Sequence, residues 1–265
     1  MKKTLPFEFI YQIIALVLAV IVVHLAYVTV VRPNADTILE TQAAQAAIEE
    51  DYVPERSLYV VLRDYEQETC FILALWAMAI IALKTRNSLR ERRMLQQSYI
   101  EVTEGMSILP EDTREYSRPL QALPEDVRQN LLPRALLAAL QRFASTRNVQ
   151  DVSTAVRAVC ETESDRLDSE LAMVRYIAWA IPSIGFIGTV RGIGQALGQA
   201  YRAVEGDIAG VTESLGVAFN STFVALIISI FVMLLMHLLQ LVQERLVLDT
   251  QHYCDDFLIR HMQVR

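Results

Sequence analysis

Residues 7–31, FEFIYQIIALVLAVIVVHLAYVTVV, contain one acid, Glu8, and no lysine or arginine. A run this apolar and this long belongs in a bilayer, whose hydrocarbon core of ~30 Å is crossed by about 20 helical residues. Met1, Lys2 and Lys3 precede it, so a cleaved leader has to be weighed. A leader's apolar stretch is about 7–15 residues and closes on a small-residue cleavage site. This run is longer and no Ala-x-Ala site closes it directly. It is expected to be a retained first span.

Three more apolar blocks follow. CFILALWAMAIIAL, residues 70–83, is short, covering only ~20 Å as a helix, so Glu66 and Glu68 are expected at headgroup level. Residues 171–200 and 215–242 supply a third and a fourth span. Basic residues near span ends mark the cytoplasmic side. Lys2 and Lys3 before the first span, and Lys84, Arg86, Arg90, Arg92 and Arg93 after the second, place both termini inside. The fold class is therefore an all-α integral membrane protein with four transmembrane helices and a helical cytoplasmic domain. Residues 1–31 form the N-terminal end and first span, and residues 32–69 an acidic, helical outer loop. Residues 70–83 form the second span and residues 84–170 the cytoplasmic helical domain, with breaks at Pro110, Pro119, Pro124 and Pro133. Residues 152–171, free of Gly and Pro, are expected to run as one helix into the third span. Residues 201–214 form a second outer loop, and residues 243–265 an amphipathic cytoplasmic tail.

Composition excludes some functions. A net charge of −7 offers no basic footprint for nucleic acid. Cys70, Cys160 and Cys254 are too scattered for a metal site or a disulfide framework, and read as small buried residues. No enzyme motif is found, and no cofactor or metal is expected.

The third span is unusual. IPSIGFIGTVRGIGQAL, residues 181–197, holds a proline, four glycines, a threonine and an arginine. Small residues let membrane helices approach closely, where lipid offers no hydrophobic drive between them. Gly185, Gly188 and Gly192 share one face, and Gly194 and Gly198 form a second small pair. Packing within one subunit accounts for the glycines without any transport. Pro182 frees a carbonyl near Ala178, giving either a hinge or a static bend. Thr189 lies ~18 Å above the inner edge if the span enters near Ile177, and Thr222 ~10 Å below the outer edge if the fourth enters near Leu215. In a core of ~30 Å those depths agree within a turn. Ser229 lies on the same stripe as Thr222. A ring of such hydroxyls can replace part of an ion's hydration shell or hold a proton-carrying water chain. Alternatively, a buried threonine simply bonds its own i−4 carbonyl.

The stretch Ile181-Pro182-Ser183-Ile184-Gly185-Phe186-Ile187-Gly188-Thr189-Val190, with Gly192-Ile193 after it, resembles the Pro-x-x-Gly-x-x-Gly-Thr-Val-x-Gly-Ile motif of the MotA/TolQ/ExbB ion-channel family. Ala218-Phe219-Asn220-Ser221-Thr222-Phe223 is similar to its second motif. The resemblance spans about residues 150–245. It implies a proton-motive-force-driven motor subunit of the bacterial inner membrane. It implies a homopentamer around two copies of a single-span MotB/TolR/ExbD-type partner whose aspartate carries H⁺ or Na⁺, with Thr189 and Thr222 facing that acid. No carboxylate lies inside the third or fourth span, which suits a pore whose acid comes from a partner. The four-span layout is MotA-like. Val217 stands where TolQ and ExbB carry a glutamate, Arg191 where they carry a tryptophan, and the fourth span lacks MotA's proline.

Arg191 points away from the threonine face, either anchoring to headgroups or Glu213, or orienting a partner acid or repelling cations near the outer mouth. His24 is expected at a similar depth, in polar contact with a neighbouring helix. In the outer loop, Ile38, Leu39 and Ile48 are expected to pack near Leu58 and Val61. The competing functions are a non-conducting scaffold that retains the fold, and a secondary transporter, for which no inverted repeat or internal acid is found.

Overall fold

A computed structural model describes residues 7–46, 48, 57–97, 99–100, 107–206 and 208–264. Among the described residues the chain is helical, with four helices long and apolar enough to cross a membrane. It divides into two compact units.

The first unit comprises residues 1–81 and 173–236. Helix α1, Phe7–Ala26, is apolar on every side, and most of its large side chains are exposed, as suits lipid. It does not stop at residue 31. A π-helical turn, Tyr27–Val31, leads into α2, Arg32–Ala46, so the first half of the outer loop prolongs the first span. Pro33 explains the wide turn. A proline has no N–H and crowds the carbonyl four residues back, and one wider turn relieves that crowding without ending the helix. The Arg32 N–H bonds Tyr27 O, the five-residue step of that turn. The expected break at Pro54 lies outside the described residues. Helix α3, Leu58–Leu62, is capped by the Ser57 side chain and packs on α2. Ile38, Leu39 and Val61 are half-buried there, whereas Ile48 and Leu58 stay exposed.

The helix holding residues 70–83 is longer than the apolar run. Helix α4 covers Tyr65–Met94, with Glu66 and Glu68 in its first turn. It is tied to α1 by Tyr11 Oη donating to Ala79 O (3.2 Å) and Trp76 Nε1 donating to Gln12 O (2.9 Å). Both acceptors are helix carbonyls using a second lone pair.

The second unit comprises residues 82–172 and 237–265. After α5, Thr113–Gln121, and α6, Glu125–Arg128, helix α7, Leu131–Thr146, pairs with α8, Val149–Glu170. Arg147 reverses the chain in the left-handed region (φ 52°), and Asn148 Oδ1 accepts from Gln150 N (2.9 Å) to start α8. The core joins Leu136, Leu140 and Phe143 to Val152, Val156 and Cys160. The C-terminal segment is part of that core through Tyr253, Cys254, Leu258 and Met262, so residues 243–265 do more than present an amphipathic tail. Tyr253 Oη donates to Gln97 O (3.2 Å), and Ile108 pairs with Met262 in a single bridge. Glu163 is buried and held by Arg134 (2.9 Å), and Lys84 by Glu170 (2.6 Å).

Helix α9, Ala172–Gly198, follows α8 after a single turn residue, Leu171, so the helix runs on into the third span as expected. A short α10, Ala200–Val204, and Gly206 (φ 98°) turn the chain into α11, Ala209–Phe257.

Candidate ion-pathway site

In the first unit α9 and α11 pack backbone to backbone, and the three glycines permit it. A β-carbon placed on Gly185 would lie 2.5 Å from Ala225 Cβ, and one on Gly188 would lie 2.5 Å from Ser221 Cβ. At Gly192 it would meet Ala218 Cβ, Ala218 N and Ser214 O, all at 2.7 Å. Carbon atoms need about 3.5–4.0 Å, so no other residue fits these sites unless the helices part. Gly194 and Gly198 have nothing within 4 Å and take no part in this contact.

The close approach brings the two threonines together. The hydroxyls of Thr189 and Thr222 are in direct contact. Thr189 Oγ1 lies 3.1 Å from Ala218 O and 3.3 Å from Gly185 O, and Thr222 Oγ1 lies 3.0 Å from Gly185 O. Each hydroxyl has one proton and two lone pairs. When Thr189 donates to Thr222 and Thr222 to Gly185 O, both lone pairs of Thr189 and one of Thr222 stay available to a cation or a proton donor. Both residues are half-buried, with exposed Phe186, Val190, Phe219 and Phe223 beside them in sequence.

Ser229 is placed elsewhere. It is buried and donates to Ala178 O at 3.0 Å. Ala178 is four residues before Pro182, so this is the carbonyl that the proline leaves without its helical partner. The hydroxyl restores the lost bond from the facing helix.

A second polar layer lies at the loop end of the same unit. Arg191 pairs with Glu66 (2.8 Å) and Asp64 (3.6 Å), whereas Glu213 pairs with Arg63 (3.3 Å). The anchor of Arg191 is thus the start of α4, not Glu213. Burial raises the Asp64 carboxyl, against the pull of Arg63 and Arg191. His24 Nδ1 is 2.7 Å from Glu68, whose other oxygen accepts from Arg32. Arg32 also stacks over the Tyr65 ring at 4.4 Å. The short apolar run after residue 69 identified Glu66 and Glu68 as boundary residues. Their pairing with Arg191, Arg32 and His24 had no sequence signal, because the partners are 44 to 125 positions apart for His24 and Arg191. Gln67 and Ser221, fully or nearly fully buried between α4 and α11, were not singled out by sequence reading.

With this geometry in place the comparison with known proteins is direct. Residues 127–252 match the MotA/TolQ/ExbB proton channel family. The matched segment runs from α6 to the last third of α11, and includes Pro182, the three packing glycines, Thr189, Arg191, Thr222 and Ser229. α1 to α4, with His24, Glu66, Gln67 and Glu68, lie outside it. No curated protein and no solved structure matches the chain. The protein is a multi-pass membrane protein with a segment similar to the MotA/TolQ/ExbB proton channel family, which is a channel family rather than an enzyme family.

Proposed function

We propose that this chain is the pore-forming subunit of an ion-driven motor in the bacterial inner membrane. Five copies surround a single-span partner of the MotB/TolR/ExbD type, and the partner's aspartate carries H⁺ or Na⁺ past Thr189 and Thr222. The observation that carries this reading is the hydroxyl pair, set at one level by glycines that hold α9 and α11 in backbone contact. It supplies oxygen lone pairs but no titratable group, since from Leu215 to Gln243 α11 has no acid. The reading takes the mobile acid from the partner, and the pair would lower the cost of dehydrating its ion. Pro182 and Ser229 support a fixed bend, because the freed carbonyl is already bonded.

A scaffold role has one observation in its favour. Both threonines have backbone carbonyls within hydrogen-bonding distance, as hydroxyls serving only to stabilise helix contacts do. Ion flux separates the readings. In vesicles holding the chain and its partner, Thr189→Val with Thr222→Val removes both hydroxyls at nearly constant shape. The motor reading expects flux to collapse at unchanged membrane abundance. Undiminished flux would leave the hydroxyls as helix-contact groups.

A further inference from the structure

The start of α11 carries a groove on the side turned away from α9. Ala209, Thr212, Glu213, Gly216, Val217 and Asn220 recur at three- and four-residue steps and form one stripe. That stripe is one wall of a cavity of about 880 Å³, and Leu39 of α2 and Val60 of α3 stand on the facing wall. The contact with α9 uses other positions of α11: Ser214, Ala218, Ser221 and Ala225. At about 3.6 residues per turn the two stripes are centred roughly 140° apart, so groove and α9 lie on nearly opposite sides of α11.

On the α9 side the chain forms a knob. Gln199, between α9 and α10, donates to Ser214 Oγ (3.4 Å) and lies against Gly210. Helix α10 therefore starts from the face of α11 turned away from the groove. Leu197, Tyr201 and Val204, spaced four and three residues apart, are 71%, 75% and 86% exposed. Tyrosine at headgroup level is an ordinary anchor. Val204 has no such use for its exposure, and grouped exposed apolar side chains mark contact surfaces.

The charges of knob and groove correspond. Arg202 makes no ion pair among the described residues, and neither do Asp36 and Glu40, which line the groove. Asp36 and Glu40 are four residues apart on α2, a like-charge spacing that destabilises a helix until a cation lies beside it. Glu205 follows α10, and the groove also offers a base, Arg63, shared with Glu213 at 3.3 Å.

We propose that α10 of one copy seats in the α2–α3–α11 groove of the next copy. Tyr201 and Val204 meet the apolar walls, and Arg202 lies beside Asp36 and Glu40. Because knob and groove are on opposite sides of α11, the contact is head-to-tail, the kind that closes into rings rather than two-fold dimers. It rests on the homo-oligomer of the proposed function and not on the passage of ions.

Disulfide capture tests it in membranes holding the full chain with its partner. Val204→Cys is combined with Glu40→Cys and, separately, with Thr212→Cys on the other wall. Ile48→Cys, 84% exposed and outside the groove, takes their place as the control. The three native thiols are buried and stay in place. After mild oxidation, a head-to-tail contact predicts a covalent ladder beyond the dimer when knob and groove cysteines share one chain. It predicts none for any single variant or for the Ile48→Cys control. In the Val204→Cys, Thr212→Cys chain, Arg202→Glu should lower the ladder yield about two- to fivefold, and adding Glu40→Arg should restore it. Dimers from Val204→Cys alone would show a two-fold contact between knobs and overturn the proposal, as would a ladder equal to that of the control. No ladder from either pair, in an assembly whose native mass is still that of an oligomer, overturns the contact and leaves the ring. A monomeric native mass removes both. A ladder closing at a number other than five keeps the contact and corrects the count.

Discussion

Gly185→Ala is the sharpest probe of how α9 and α11 meet. The new methyl would lie 2.5 Å from Ala225 Cβ, 3.1 Å from Ser221 O and 3.2 Å from Thr222 Cα. Against a required separation of about 3.5–4.0 Å, the first contact is short by about 1–1.5 Å. The other two are backbone atoms and can move only by shifting α11. Overpacking of this kind costs about 1–3 kcal/mol. Replacing glycine inside a helix returns about 0.5–1 kcal/mol of backbone entropy, so the net loss is about 0–2.5 kcal/mol. Gly198→Ala, with nothing within 4 Å, receives the entropy gain without the clash and is expected to be neutral or slightly stabilising. The difference between the two variants is therefore the informative quantity, about 1–3 kcal/mol. Ala225→Gly removes the 2.5 Å contact and leaves the two backbone ones, so it should restore part of the loss in the double variant. Thermal unfolding of the purified complex in nanodiscs, read as a double-mutant cycle, measures each term. If Gly185→Ala and Gly198→Ala unfold alike, or Ala225→Gly rescues nothing, the helices are not in backbone contact and the threonine pair loses its physical basis.

Further outcomes follow from the same contacts. Ser229→Ala leaves Ala178 O buried and unpaired and should cost about 1–3 kcal/mol, most of which disappears in a Pro182→Ala background, where residue 182 regains its N–H; unfolding of the four proteins checks this. Arg191→Met leaves Glu66 without its cation and Asp64 with Arg63 alone, and should lower the unfolding temperature, with partial recovery on adding Glu66→Gln. The Arg191 side chain is about one-third exposed, so its loss should fall short of the ~3–5 kcal/mol of a fully buried pair. Burial raises the Cys160 thiol to about 11 and that of Cys254 higher still, so at pH 8 both should resist maleimide in the folded protein and react on denaturation. Rapid labelling of either without unfolding would show that the second unit's core is open.

The first, third and fourth spans were legible because long apolar runs have few other uses, the second from its flanking charges, and the threonines because two helix registers could be compared by depth. Helix ends were less legible. The first helix continues to Ala46 through Pro33, since a π turn absorbs the proline, and no local pattern announces that turn. The tail looked merely amphipathic because its apolar face is covered by residues more than a hundred positions away, Leu136, Leu140 and Phe143. Gly185, Gly188 and Gly192 were legible as a face, but only the packed helices separate them from Gly194 and Gly198. Ser229 shared a stripe with Thr222, yet its bond to Ala178 O depends on which side of α9 is presented to α11. The ionic layer was visible only as acids beside an apolar run.

The measurement closest to the central claim is an electron cryo-microscopy structure of the complex purified with its partner. Five copies of the chain are expected, with α9 and α11 lining the axis, and a foreign helix on that axis with its acid level with Thr189 and Thr222. A monomer, or an axis lined by α1, would contradict it.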